Sequence, residues 1–325
     1  MKLTGRDVKG GLLVAALLAA LVAAVAPRLG LHRDVHDIVA VIDITGSMNT
    51  RDMGEAARPL SRLTAAKGSL ERLAGLLPCS SRLGLGVFSE RRAFLLFEPV
   101  PLCENYDAIT GAIRQIDWRM AWEGDSYIAK GVYSSLELGS SLDADPLFFT
   151  DGHEAPPLRN SIIPPFEGKA GEVKGLIVGV GGPAKSPIPK FDGDGREIGV
   201  YRVQDVPHDN RHGLPPEGAE HAEGWNARNA PFGARAAVGD EHLSSLREQH
   251  LRDLADSTGL GYLRLGDDAG LLAAVHQAMR KRGLVVRTDI GIYPAIGALA
   301  LLAVIYGLLP LLSAVRRSST RYEPK

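Results

Sequence analysis

Residues 34–282 predict an α/β fold: a doubly wound, mostly parallel sheet with one antiparallel edge strand, flanked by two transmembrane helices. Three observations predict it. Strand-like and helix-like runs alternate through the middle of the chain, the pattern of a parallel sheet covered by helices. Two of the strand-like runs are joined by a short polar connection, which an antiparallel pair allows and a parallel pair does not. Long uncharged segments stand near both ends, at 10–26 and 290–315, where the composition departs from that of the middle.

The middle has the composition of an ordinary folded protein within a chain that is 45% apolar and 23% charged. Lys and Arg, 37 together, nearly cancel 38 Asp and Glu, and a net charge of -1 argues against nucleic acid as a partner. The first uncharged segment, "GGLLVAALLAALVAAVA", follows Lys2, Arg6 and Lys9. At its length a cleaved signal peptide competes with a membrane anchor, with Ala24-Val25-Ala26 as the cleavage site. Pro27 directly after that site disfavours cleavage, so the expectation is a cytoplasmic tail at 1–9 and an uncleaved anchor at 10–27. The second segment, "IGIYPAIGALALLAVIYGLLPLLSAV", is long enough to cross with some tilt, and Pro294 and Pro310 are tolerated in such a helix. A basic tail follows it at 316–325. The balance of Lys and Arg leans slightly toward both ends in the cytoplasm and the main domain outside.

The elements of the middle can be read in order. "DIVAVID" is nearly all apolar, as a strand buried on both faces requires. Leu60, Leu63, Ala66, Leu70, Leu73 and Leu77 recur at helical spacing and predict a helix near 55–77. "RLGLGVF" and "AFLLFEP" read as the antiparallel pair, joined by "SERR". Cys79 and Cys103 flank this hairpin, placed to close a disulfide in an oxidising compartment, with two unpaired thiols as the alternative. "NYDAITGAIRQI" and "SYIAKGVYSSLEL" predict helices, and "PLFFTDG" and "GLIVGVG" predict buried strands. A helix from 241, a Gly-containing break, a strand and a last helix at "DDAGLLAAVHQAMRKR" complete the domain. Between 181 and 239 the rhythm stops in a stretch rich in Gly, Pro, His and Asn, which predicts a long loop insertion. Within it, "PKFDGDGREIGVY" predicts a hairpin turning at Asp192 to Gly195, and "DGDGRE" lacks the spacing of a calcium-binding EF-hand loop. His208, His212 and His221 have no ligand spacing and read as solvated.

The chemistry concentrates where "IVAVIDITGSMNT" passes from apolar residues into Asp43, Thr45 and Ser47. Alternation points the three the same way. In an open parallel sheet ligands gather at the carboxyl ends of the strands, and Asp151 in "FFTDGHE" lies at another such end. Asp125 and Ser126 fall in a loop just before a helix. Two carboxylates and three hydroxyls on adjacent loops suit Mg²⁺, or Ca²⁺ held loosely, with positions left open. Neither a nucleophile elbow of the type Gly-x-Ser-x-Gly nor a Cys/His set with zinc spacing is present. A phosphatase of the haloacid dehalogenase type would need a second Asp where Thr45 stands. The chain therefore reads as a binding protein, not an enzyme.

Asp-x-Thr-Gly-Ser-Met, a hydroxyl residue in a Gly-containing loop and a later Thr-Asp-Gly together resemble a von Willebrand factor type A domain over about 34–282. The resemblance implies a metal-ion-dependent adhesion site, with Ser47, Thr45 and Ser126 touching the ion or its waters. Asp43 and Asp151 would bind it directly or through water. Thr45 and Ser126 depart from the commoner Ser and Thr but keep the hydroxyl. His153 and Glu154, directly after Asp151, are placed to contact a partner or simply to solvate the loop. Trp118 and Trp122 flank the "EGDS" loop, as an aromatic contact surface or as packing over it. With a span on each side, the domain resembles bacterial membrane-bound family members that work with MoxR-type ATPases. "DITGSMNTRDM", "DWRMAWEGDSYIAKG" and "TDGHEAPP" are similar to accessory proteins of methanol dehydrogenase. That resemblance implies a periplasmic role in maturation of the dehydrogenase beside fellow maturation factors, with calcium insertion as the task. A general scaffold serving another partner is the alternative.

Overall fold

A computed structural model describes residues 5–25, 28–55, 57–120, 125–158, 162–208, 213–228, 230–234 and 236–311. It divides into two compact units, one formed by the two ends of the chain and one by Asp34–Arg282.

In the unit formed by the ends, α1 (Gly5–Val25) packs against α7 (Ile292–Ala303). Ala16, Ala298 and Ile305 are buried in this unit, while Leu17, Leu21, Val22, Ile296, Leu299 and Tyr306 are exposed. Two of the three buried residues are alanines while the large apolar ones are mostly exposed, the inverse of a water-soluble helix pair. Helical structure continues from α7 through a π-helical turn, Val304–Leu308, and Ile292–Leu311 is long and apolar enough to cross a membrane. The apolar part of α1, Lys9–Val25, is shorter. A two-stranded sheet of β1 (Arg28–Val35) and β14 (Arg282–Asp289), not foreseen from the sequence, leads to and from the helices. The tail 316–325 and the last residues of the expected second span lie outside the described residues.

The Asp34–Arg282 unit is built on a six-stranded sheet. Its strands are β2 (Asp37–Asp43), β5 (Arg82–Ser89), β6 (Arg92–Pro101), β7 (Asp145–Thr150), β8 (Leu176–Gly179) and β13 (Gly261–Arg264), in the spatial order β13-β8-β7-β2-β5-β6. All pairs are parallel except β5 with β6, so the one antiparallel strand is at an edge, as expected. Helices cover both faces. Ile38, Ala40 and Ile42 of β2 face α2 (Arg62–Leu76), α3 (Tyr106–Gln115) and α6 (Asp268–Ala278), while Val41 faces α4 (Ile128–Leu142) and α5 (Glu248–Thr258). This two-sided burial explains why β2 reads as a continuous apolar run. A disulfide joins Cys79, after α2, to Cys103, after β6.

Two expected helices begin late. The run predicted from 55 opens instead as a hairpin of β3 (Met53–Glu55) and β4 (Arg58–Leu60), and α2 begins only after Ser61, whose side chain accepts from Thr64 N at 3.1 Å. Pro59 and this cap set the boundary, so Leu60 is off the helix. The helix expected from 241 begins at Glu248, because Leu243–Ser244 form β12 and pair with β9 (Ser186–Pro187). That pairing closes the neck of the insertion. Beyond β9 the predicted hairpin is present as β10 (Pro189–Phe191) and β11 (Glu197–Val200), turning where Asp192 accepts from Gly195 N.

Candidate functional site

The chain runs from β2 to its neighbour β5 on one side and later returns to β7 on the other, so the order reverses at β2. The carboxyl end of β2 is therefore the point where adjacent loops diverge and leave a crevice. Asp43 ends β2, fully buried. Thr45 follows in extended backbone and Gly46–Asn49 form a 3₁₀ turn, which doubles the chain back over Asp43. Thr45 N and Oγ1 both donate to Asp43 Oδ1, at 2.9 and 2.7 Å, and Thr150 Oγ1 at the end of β7 donates to Oδ2 at 2.7 Å. Asp43 is thus held from two strands.

Asp151 lies just beyond β7 and is also fully buried. Its Oδ1 accepts from His153 N at 2.9 Å, and its Oδ2 accepts from Arg62 Nη1 at 2.5 Å and Ser244 Oγ at 3.2 Å. The turn that aims it requires Gly152, whose φ is +76° and whose Cβ would meet Leu251 at 2.9 Å. Ser126 is placed by its backbone: its N donates to Ala155 O and its O accepts from Ala155 N, while Tyr127 N donates to Glu90 O. The turn after β5, the loop before α4 and the loop after β7 are thereby tied together.

Thr45, Ser47, Asp125, Ser126 and His153 line one cleft of about 430 Å³. The hydroxyls of Ser47 and Ser126 are buried there without a hydrogen-bond partner. Ser47 stands beside Asp151, close enough to help hold its carboxylate in the charged form but without a bond of ordinary geometry. Orphaned buried hydroxyls beside two carboxylates are a costly arrangement unless something else takes the oxygens, and a hard cation fits that need. Among the described residues no group of three His, Cys, Asp or Glu could hold a metal by itself. A metal here would depend on the hydroxyls.

The two carboxylates are pushed in opposite directions. Burial, then the charge of Asp151, pushes Asp43 up to about 7 against the hydrogen bonds from Thr150 and Thr45. For Asp151 burial also acts upward, but the Arg62 guanidinium and then His153 outweigh it and the net direction is down. Burial lowers His153 to about 4, so its ring is neutral at pH 7, with Nδ1 buried and unpartnered.

The other predicted residues have definite places. Glu154 is buried, with Oε2 accepting from Ile128 N and Oε1 from Ala129 N, both at 3.0 Å, and its Oε1 also 3.1 Å from His250 Nε2. It caps α4 in place of a local side chain, since Tyr127 supplies none, and so does not solvate a loop. Trp118 stacks on Phe191 of β10 with centroids 4.7 Å apart. Its other neighbours include the cleft, whose far wall is formed by Ile188, Tyr201, Val206 and Pro207 of the insertion. Arg51 pairs with Glu197 of β11 through two hydrogen bonds at 3.1 and 2.5 Å. The insertion thus walls the site and is not a free decoration. His208, expected to be solvated, is buried with Nε2 2.7 Å from Val203 O, whereas the side chain of His221 is exposed. Trp122 and His212 lie outside the described residues.

Sequence reasoning missed Arg62, Asp52, Thr150 and Ser244. Arg62 was legible in principle: with Ala66, Ser69 and Leu73 it falls on the buried stripe of α2, and an arginine on such a stripe must be paired. Thr150 and Ser244 gave no comparable signal, because a lone hydroxyl at a strand end is common.

Residues 38–153 match the family model of the von Willebrand factor type A domain. That segment runs from β2 through the loop after β7, and so includes Asp43, Thr45, Ser47, Ser126 and Asp151. No curated protein matches the chain. Among solved structures, an aerotolerance-related membrane protein from Bacteroides fragilis NCTC 9343, crystallised with multiple mutations to serines, is similar at 16% identity and a TM-score of 0.46, covering 75% of this chain and 98% of that one. BatB from Bacteroides thetaiotaomicron is similar at 16% identity and a TM-score of 0.45, covering 74% and 98%. A von Willebrand factor type A protein from Catenulispora acidiphila is 11% identical with a TM-score of 0.40, covering 78% and 46%.

Proposed function

We propose that the chain is a membrane-anchored module that binds a partner protein through a divalent cation, Mg²⁺ or Ca²⁺, and does not turn over a substrate. One observation carries the reading: the buried, unpartnered hydroxyls of Ser47 and Ser126 open on the same cleft as Thr45, next to two fixed carboxylates. Ser47, Ser126 and Thr45 would hold the ion or its waters, and Asp43 and Asp151 would supply charge. When bound, the ion supplies an electrophilic position for a carboxylate of the partner. The chain orients that position by locking Asp43 with Thr45 and Thr150, and Asp151 with Arg62 and His153 N. His153 and Trp118 line the approach.

Both α1 and the helix Ile292–Leu311 are read as membrane spans, supported by their outward-facing large apolar residues. The Cys79–Cys103 disulfide favours an oxidising compartment, which supports reading the domain as periplasmic in a bacterial inner-membrane protein. The partner follows from sequence resemblance alone. "CSSRLGLGVFSERRAFLLFEPV", "TDGHEAPP" and "SPIPKFDGDGREIG" resemble MxaL, an accessory protein of methanol dehydrogenase, which points to maturation of that enzyme and calcium insertion. A MoxR-type ATPase, with another client, is the alternative partner.

The test uses the full-length chain in detergent, titrated with Mg²⁺ and Ca²⁺ by calorimetry, alone and with apo-methanol dehydrogenase, beside Asp43→Ala. Metal-dependent association lost in the variant is the expected result. Metal binding without association removes the dehydrogenase as partner, and no metal binding removes the site.

A further inference from the structure

Among the described residues Arg62 heads the largest fully buried side chains, and locking Asp151 alone does not require so many bonds. Its guanidinium donates five hydrogen bonds. Nε and Nη2 reach Asp52 Oδ1 and Oδ2 at 2.9 and 2.6 Å, Nη1 reaches Asp151 Oδ2 at 2.5 Å and Ser244 Oγ at 2.6 Å, and Nη2 also reaches Ser244 O at 3.1 Å. A planar fork held on every side cannot move away from Asp151 without leaving buried donors unpaired. Asp52 is itself fixed, since its Oδ2 accepts from Gly182 N at 2.9 Å.

The charge balance around the site follows. Asp43, Asp151 and Asp52 carry three negative charges when ionised, and Arg62 returns one positive charge, lodged directly on one of the two carboxylates assigned to the ion. Every carboxylate oxygen of Asp43 and Asp151 already accepts from the protein. The neutral hydroxyls of Ser47 and Ser126 and the Nδ1 of neutral His153 are uncommitted. A divalent ion arriving beside Asp43 and Asp151 meets carboxylates already engaged by the protein and a permanent cation bonded to one of them, and charges that close interact strongly in a buried setting.

We propose that Arg62 belongs to the metal site as an internal cation: by holding Asp151 it keeps the ion weakly bound until an anionic partner adds the missing negative charge. This rests on the metal reading proposed above. It deepens that reading, because metal and partner carboxylate then strengthen each other's binding reciprocally. Ser244 and Gly182 sit at the two ends of the insertion's neck, so the same guanidinium also ties the ion's charge environment to the wall of the cleft. Arg62 is a positioning residue and touches no ligand itself.

The test measures Mn²⁺ affinity of the full-length protein in detergent, from the free-ion paramagnetic resonance signal, with and without acetate as the carboxylate probe. Arg62→Gln removes the internal cation and is expected to tighten Mn²⁺ by about tenfold or more, each tenfold being about 1.4 kcal/mol. It should also reduce the gain in affinity from acetate. Arg62→Lys keeps the charge and is expected to bind Mn²⁺ as the parent does. Asp52→Asn leaves Arg62 less compensated and is expected to weaken Mn²⁺. A purely structural arginine would weaken binding in all three variants. Unchanged or weaker Mn²⁺ binding in an Arg62→Gln protein that still melts cooperatively overturns the proposal. If that variant does not fold, Arg62→Lys decides, and binding weaker than the parent's there overturns it. A parent protein that binds no Mn²⁺ at all overturns the metal reading first, and this proposal with it.

Discussion

Gly131→Ala should destabilise the domain, although alanine is ordinarily the better helix residue. Gly131 lies in the first turn of α4, and a Cβ there would stand 2.3 Å from Cε2 and 2.4 Å from Cδ2 of Phe88. Ordinary carbon contacts are about 3.5–4.0 Å, so helix and ring must separate by more than about 1 Å. The ring cannot yield easily: Phe88 is fully buried and packs on Phe148 with centroids 5.5 Å apart. Overpacking of this kind costs about 1–3 kcal/mol, and the severity of the contact puts it near the upper end. The helix preference of alanine returns about 1 kcal/mol. The net loss is about 2 kcal/mol, or about 4–8 °C in melting temperature for a domain of this size. Gly111→Ala is the control. It sits inside α3 with nothing within 4 Å of a Cβ, and it should stabilise by about 0.5–1 kcal/mol. Thermal and urea melts of the full-length protein, followed in the near ultraviolet, read both. A Gly131→Ala protein as stable as the parent would refute the packing argument. Because Ser126 lies two residues before α4, the same displacement should also weaken metal binding.

Further outcomes are open to measurement. Replacing Cys79 and Cys103 by alanine opens a loop of about 25 residues and should cost about 3.5 kcal/mol on a chain-entropy account, read from denaturation midpoints with and without reductant. Glu154→Ala leaves Ile128 N and Ala129 N uncapped and should cost about 2–3 kcal/mol, with Glu154→Gln losing less; equal losses would mean the hydrogen bonds to α4 do not matter. The pH dependence of metal-free protein has two opposed parts. Asp43, raised from 3.8 to about 7, stays protonated in the folded chain while the unfolded chain releases its proton, so stability falls as pH rises across that window. His153, lowered from 6.5 to about 4, is neutral when folded and protonated when unfolded, so stability rises across its own window. Asp43→Asn in the presence of chelator should therefore steepen the climb of melting temperature between about pH 4 and 6.5, and a curve parallel to the parent's would contradict the assignment. With metal, the proton on Asp43 must leave, so affinity should rise as pH increases through about 7, with proton release detectable by calorimetry in buffers of different ionisation heat.

Much of the architecture was legible because the signals were local. The apolar run of β2 announces burial on both faces, and the short connection between β5 and β6 forces an antiparallel edge. The hairpin at Asp192 to Gly195 follows from turn chemistry in a few neighbouring residues. The misses were also local in origin: the helix expected from 55 ran through Pro59 and Ser61, where the hairpin gives way to α2. A periodicity of apolar residues does not by itself mark where the chain stops being helical.

By itself the sequence determined which oxygens stand at the ends of β2 and β7, because alternation and the run of strands are written in adjacent residues. Only the tertiary structure decided what those oxygens face. Arg62, Asp52 and Ser244 lie at separations of 89, 10 and 182 residues from the groups they bond, and no local pattern encodes pairings of the longer kind. The insertion read as a long loop with a hairpin because it lacks periodicity, yet it closes over the cleft through Phe191 on Trp118 and Glu197 on Arg51. Long-range packing sets the charge, the depth and the access of the site, since burial and electrostatics depend on what surrounds a group in space and not along the chain.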